Sequence, residues 1–144
     1  MLERGTYFTP TLSANERILE HGVAAGIPRY VIDKMERCQD DRIDSFQRAV
    51  RAGVRITCGT DAGTPFNPVE DTAAEMVYMV QYGMSPAQAL ATTGQSAAAM
   101  GLDDRGYLRA GMVADVVVLA GDPLRNIHHV RNVEAVFHYG ERVR

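Results

Sequence analysis

Two segments before Gly101 read as β-strands, Tyr7-Phe8-Thr9-Pro10-Thr11-Leu12 and Val54-Arg55-Ile56-Thr57-Cys58, and helical spacing follows each of them. A strand, helix, strand, helix order places the strands side by side and parallel, because the crossover helix carries the chain back to the starting edge. Two parallel strands cannot cover both faces and both edges of a sheet. The pattern therefore implies an α/β architecture that these residues leave incomplete.

The helical segments carry their own punctuation. Ser13 and Asn15 stand where a helix through Ile18 and Leu19 would be capped, and Gly22 and Gly26 interrupt it. Pro28 suits the first turn of a new helix. Ile32, Met35, Ile43, Phe46, Ala49 and Val50 recur at helical spacing down to Gly53, a C-terminal stop. Gln39-Asp40-Asp41-Arg42 reads as the solvated face of that helix. Asp71 and Thr72 lead a helix with Ala73, Met76, Val77 and Val80 on one side, ending at Gly83. Ser85-Pro86-Ala87-Gln88 has the capping-box pattern, with proline at the first helical position. Gly94 is expected to weaken the helix that follows, with Ser96 capping a further turn to Gly101.

Beyond Gly101 the pattern turns strand-like. Val113 to Leu119 and Val133 to Tyr139 are expected strands, separated by a loop at Asp122-Pro123. A turn at Tyr139-Gly140-Glu141-Arg142 leads to a last strand near Val143. The run Val116-Val117-Val118-Leu119-Ala120 reads as a buried strand. It is also the longest apolar run, far short of the roughly 20 residues that cross a bilayer, so no membrane partner is expected.

Hydrophobic residues form 46% of the 144 and charged residues 23%, the balance of a globular domain with its own core. The net charge of -3 offers nothing to a polyanion, so nucleic acid is excluded as a partner. Met1-Leu2-Glu3-Arg4-Gly5 lacks the basic-then-apolar order of a secretion signal, and a cytoplasmic setting is expected. Cys38 and Cys58 form no CxxC pair and read as two buried thiols in a reducing compartment.

One residue stands out for chemistry. Asp61 follows directly on the second strand, within Gly59-Thr60-Asp61-Ala62-Gly63. In parallel α/β folds ligands gather at the carboxyl ends of the strands. A carboxylate there binds a metal or takes a proton, and the flanking glycines leave room beside it. The local sequence leaves a second reading open, an ordinary turn in which the aspartate bonds its own backbone.

Longer stretches carry a family resemblance. Gly59-Thr60-Asp61-Ala62-Gly63-Thr64-Pro65-Phe66-Asn67-Pro68 resembles the loop after the eighth barrel strand of metal-dependent amidohydrolases of the imidazolonepropionase and Xaa-Pro dipeptidase type. Tyr82-Gly83-Met84-Ser85-Pro86-Ala87-Gln88-Ala89-Leu90 is similar to that family's helix junction. The segment from Leu108 to Leu124 resembles the return into its small β-subdomain, Val136 to Arg144 its closing hairpin, and Thr9-Pro10-Thr11-Leu12-Ser13 its seventh strand. The three signatures in this order and spacing are specific together.

The resemblance implies an α/β fold that is the C-terminal part of a TIM-like (β/α)8 hydrolase barrel plus part of a small β-sandwich subdomain. Residues 1–104 would hold the last two barrel strands and helices, and 105–144 the β-subdomain segment. It implies Asp61 as both metal ligand and catalytic acid/base residue. It implies a divalent metal cofactor, zinc in the first instance, present as one or two ions and not fully ligated by this chain. The reaction implied is hydrolysis of a C–N bond in a small-molecule substrate, a cyclic amide or an Xaa-Pro-type dipeptide. Which residues bind the substrate is not legible, although Pro65 and Phe66 are placed to wall a pocket.

The family's other ligands, a His-x-His pair, a lysine or glutamate and two later histidines, have no counterpart here. His21, His128, His129 and His138 form no such pair and are not assigned to metal. One carboxylate does not hold a catalytic zinc, which normally needs about three protein ligands and a water. The chain alone is therefore expected to be inactive, opening within the helix before the seventh strand and lacking the N-terminal half. Its uncovered apolar faces favour self-association. The alternative is a non-catalytic binding or assembly module, favoured if no upstream reading frame encodes the His-x-His pair. Many relatives have a polar residue at the position of Val69, which is expected to pack under the loop. Glu75 matches a helix carboxylate of the family but reads equally as a helix-surface charge. Asp115 reads as structural, bonding nearby backbone.

Overall fold

The computed structural model describes residues 1–144. Strand β1 (Tyr7–Phe8) pairs in parallel with β2 (Arg55–Ile56), Tyr7 opposite Arg55 and Phe8 opposite Ile56. The ladder continues one step through Thr57 N–H to Phe8 O at 3.0 Å. Both strands are shorter than the sequence implies, because Leu12 is already helical and the chain past Thr57 bends into a loop. Between them run helix α1 (Leu12–His21) and helix α2 (Arg29–Ala52). Pro28 caps α2, and Gly53 ends it in the left-handed conformation at φ 72°, where a Cβ would be strained.

Helix α3 (Ala73–Gln81) follows a short 3-10 turn at Val69–Asp71. Helix α4 (Pro86–Ala99) starts with a complete capping box, Ser85 Oγ accepting from Gln88 N–H and the Gln88 side chain accepting from Ser85 N–H. Helix α4 runs unbroken through Gly94, the residue expected to weaken it. Gly94 lies inside α4 and is buried, because the loop at Gly106-Tyr107 rests directly on it and leaves no space for a side chain. Ser96 caps no further turn. Its hydroxyl instead accepts from Cys58 N–H at 3.0 Å and donates to Thr92 O at 2.9 Å, fastening α4 to the exit of β2.

The core gathers where these elements meet: Leu12 from α1, Phe46 from α2, Ile56 from β2, Ala74, Tyr78 and Met79 from α3, and Ala89 from α4. Met84 and Ile127 complete it. The remaining residues form an antiparallel sheet in the order β3 (Val116–Leu119), β4 (Val133–His138), β5 (Glu141–Arg142). Ile127, in a 3-10 turn before β4, roots this sheet in the main core. Strand β3 is not buried as its composition implies. Val117 is 54% exposed and Val118 is exposed beside it, because only β4 flanks the strand and nothing in the chain covers its outer side. The architecture is thus mixed α/β, with a small parallel pair surrounded by helices and a separate antiparallel sheet.

Candidate active site

Asp61 leaves the carboxyl end of the β1–β2 pair with a left-handed backbone, φ 54°. Phe66 in the same loop also has positive φ, at 63°. For residues with a Cβ this conformation costs roughly 1–2 kcal/mol each, so other bonds must hold it. They come from within the loop. The Asp61 carbonyl accepts from Thr64 Oγ1 at 3.0 Å, from Asn67 Nδ2 at 3.3 Å and from Thr64 N–H at 3.4 Å. Gly63 N–H donates to Asn67 O at 3.0 Å and Asn67 N–H to Thr64 O at 3.1 Å. The first three of these bonds go to the Asp61 carbonyl. The Asp61 carboxylate stays exposed and enters no hydrogen bond or ion pair within the chain, so the self-bonded turn is not what forms.

The helix N-terminus beside the loop is held by Glu75. Thr11, at the cap position of α1, has positive φ and its side chain caps nothing. The job falls to the Glu75 carboxylate, reaching from α3 to accept from Leu12 N–H and Ser13 N–H, both at 2.8 Å. Negative charge at a helix N-terminus also meets the positive end of the macrodipole. Glu75 is fully buried, so its reading as a helix-surface charge is excluded. Burial pushes its pKa up, and the bonds from Ser13 and Leu12 pull against that rise. Ser13 Oγ in turn donates to Thr60 O at 3.4 Å, so α1, α3 and the residue before Asp61 are joined.

Sequence reasoning overlooked Asn67, Arg17 and Ser13 as site-building residues. An asparagine close after an Asp-Ala-Gly turn is a recognisable signal for side-chain-to-backbone bonding. Arg17 gave no such signal, since its partners Asp71 and, through it, Arg131 are remote in sequence. Arg17, His21, Thr64, Phe66, Asn67 and Asp71 line an open cleft beside the loop.

The remaining expectations divide. His21 is exposed and stacks on Phe66, ring centroids 4.2 Å apart, consistent with a packing role. Phe66 lines the cleft together with His21, while Pro65 lies exposed. Val69 does not pack under the loop: it is 73% exposed, because Pro68 turns the chain outward into the 3-10 turn. Asp115 bonds Tyr139 N–H at 3.0 Å and His138 Nδ1 at 2.9 Å, the structural role expected, and those bonds hold its carboxyl below the usual range. His128 is exposed, and His129 Nδ1 faces Asp122 O at 3.1 Å. Cys38 is exposed, which corrects the expectation of two buried thiols, since α2 turns that side to solvent. Cys58 is partly buried, and burial together with the nearby Glu75 charge pushes its thiol up to about 12. At neutral pH that leaves an inert thiol.

The donor set does not by itself fit a catalytic metal. No three His, Cys, Asp or Glu side chains come together closely enough to hold one. Asp61 is a carboxylate without a partner in the loop that follows the parallel strand pair.

The fold and this loop together define a family. The chain belongs to the amidohydrolase family, whose model matches residues 1–143. It is similar to ochratoxinase of Aspergillus niger, with 32% identity over 142 residues, covering 96% of this chain and 28% of that protein. It is also similar to imidazolonepropionase of Deinococcus radiodurans, 34% identical over 92 residues, covering 62% of this chain and 23% of the relative. Among solved structures it superposes on a Xaa-Pro dipeptidase with bound methionine in the active site at a TM-score of 0.85 and 32% identity, covering 99% of this chain and 35% of that one. The A. niger ochratoxinase structure gives a TM-score of 0.83 at 30% identity, covering 99% and 33%. The chain thus spans between about a quarter and about a third of the length of these relatives.

Proposed function

We propose that this chain is the C-terminal portion of a metal-dependent amidohydrolase that cleaves a C–N bond in a small amide or dipeptide, with Asp61 as its proton-transferring carboxylate. In this reading β1 and β2 are two adjacent strands of a (β/α)8 barrel, residues 1–104 form the partial barrel, and residues 105–144 belong to a small β-subdomain. The observation that carries it is the Asp61 carboxylate, exposed at the carboxyl end of a parallel pair while every bond of its loop is made by backbone or by neighbouring side chains.

A carboxylate so placed takes a proton from an attacking water and returns it to the departing nitrogen, which avoids expelling an amide anion. A divalent cation, when bound, supplies charge that makes water acidic enough to attack at neutral pH. Asp61 would be one ligand to it, zinc being the ion the family resemblance implies, with the others drawn from polypeptide outside this chain. The names of the relatives, ochratoxinase, imidazolonepropionase and Xaa-Pro dipeptidase, support an amide or dipeptide substrate.

The test has two arms. The 144-residue chain, assayed on dipeptides and lactams with added zinc or manganese, is expected to show no turnover above a metal-only blank. A longer polypeptide in which the ligand set is complete is expected to hydrolyse an amide. There, Asp61→Asn should lower kcat by at least about a thousandfold, since both proton transfer and a ligand are lost. Unchanged hydrolysis and metal content in that variant would sink the assignment.

A further inference from the structure

The side chain that fixes Asp61 in place has no role in the reading above. Asn67 is 2% exposed. Its Nδ2 faces three oxygens: Thr60 O at 2.6 Å, Asp61 O at 3.3 Å and Thr64 Oγ1 at 3.3 Å. Two of the three are the carbonyls on either side of the Thr60–Asp61 junction. The two amide protons are therefore spent on the backbone that carries Asp61. The other half of the same amide, Oδ1, is buried with no partner.

That asymmetry is informative. A buried amide with an unmet acceptor carries a desolvation penalty, and an apolar residue would avoid it. The feature gained in return is the pair of donors. The orientation is also fixed by chemistry, since turning the amide over would set Oδ1 against three oxygens. The donors act on a residue with positive φ, a sparsely populated conformation that aspartate tolerates better than most side chains and that bonds to its carbonyl favour over the extended region.

We infer that Asn67 is a positioning residue for Asp61, holding its backbone left-handed so that the carboxylate projects from the strand end instead of folding back on the loop. This deepens the proposed function and rests on its assignment of Asp61. Asn67 acts through the Thr60 and Asp61 carbonyls.

The discriminating variant is Asn67→Asp, nearly identical in shape but presenting an oxygen where three oxygens need a donor. Thr64→Val is the second, milder variant. It removes the Thr64 Oγ1 bond to Asp61 O, and with it one of the three oxygens facing Asn67 Nδ2, from a half-buried position outside the core. Both are made in the 144-residue chain, held at a concentration where sedimentation shows a monomer, and read by NMR. A left-handed residue gives a strong intraresidue amide-to-Hα cross-peak, expected for Asp61 in the parent. It should be lost in Asn67→Asp and weakened in Thr64→Val, while the signals of Phe46, Met79 and Ala89 in the core stay in place. If Asn67→Asp does not fold, Thr64→Val decides by the same signature.

In the longer, hydrolytic polypeptide, Asn67→Asp should lower kcat about a hundredfold with KM within about twofold, the mark of a misplaced reacting group. Persistence of the Asp61 cross-peak in both variants, or an unchanged kcat in Asn67→Asp, would overturn the inference. The two readings fail separately. Hydrolysis that survives Asp61→Asn removes the catalytic assignment, whereas an Asp61 that matters for turnover but keeps its backbone and rate without Asn67 removes only the positioning role.

Discussion

Glu75 concentrates the energetics of this molecule at the residue scale. It is the one acceptor for two buried backbone N–H groups at the start of α1. Truncation to alanine orphans both donors, each worth about 1–3 kcal/mol when unsatisfied, and relieves one buried charge. The net expectation for Glu75→Ala is a loss of about 2 kcal/mol, measured by urea unfolding. Its pH dependence has a definite sign. The folded pKa is raised above the unfolded value, so between the two the folded chain holds the extra proton. This group's contribution to stability is therefore greatest below about pH 4.3, the unfolded glutamate value, and declines as pH rises through the raised folded value. The stability difference between the parent and Glu75→Gln, which has no such titration, should shrink from pH 4 to pH 7. A difference that grows over that range would contradict the assignment of burial as the dominant cause.

Between elements, the tightest approach is that of the loop at Gly106 to helix α4. A Cβ on Gly106 would stand 2.9 Å from Gly94 Cα and 3.0 Å from the Ala97 Cβ, and Gly106 also has φ +90°. Backbone cannot yield as a flexible side chain does, so Gly106→Ala combines steric overlap with conformational strain. Gly101, at φ +73° with nothing within 4 Å, is the natural control because its substitution brings strain alone. Gly106→Ala is expected to lower stability by about 1–3 kcal/mol more than Gly101→Ala, read as the difference in denaturant midpoint. Equal effects would show that the loop lifts off α4 freely. The same contact explains why a glycine inside a helical pattern misled the sequence reading. Gly94 was expected to weaken the helix, but it is there to admit Gly106 and Tyr107, residues whose approach no helical periodicity encodes.

Several large apolar side chains stay at the surface of the whole molecule. Leu108 is 85% exposed, and Tyr107, Val117, Val118 and Leu124 are exposed with it. The β1–β2 pair has an open edge on each side, and β3 is flanked by one strand only. Such surfaces drive association. In sedimentation velocity the chain is expected to self-associate increasingly between micromolar and higher concentrations, and a compact monomer throughout would argue that the exposed strands are protected in solution.

What the sequence determined by itself was local and periodic. The capping box at Ser85, the stop at Gly53, the helical faces and the strand-helix-strand-helix order are written in nearest-neighbour chemistry, and the structure keeps them. That Asp61 stands in the loop after the second strand was legible for the same reason, although β2 ends at Ile56 and not beside it. Tertiary structure alone decided which buried groups face one another. Glu75 meets the start of α1 across 62 and 63 residues of chain, and Ser96 meets Cys58 across 38. Such meetings depend on how the elements pack, which no spacing within one element specifies. The exposure of Val69 and of β3 belongs with them, because burial is a property of the neighbours a residue finds and not of the residue itself.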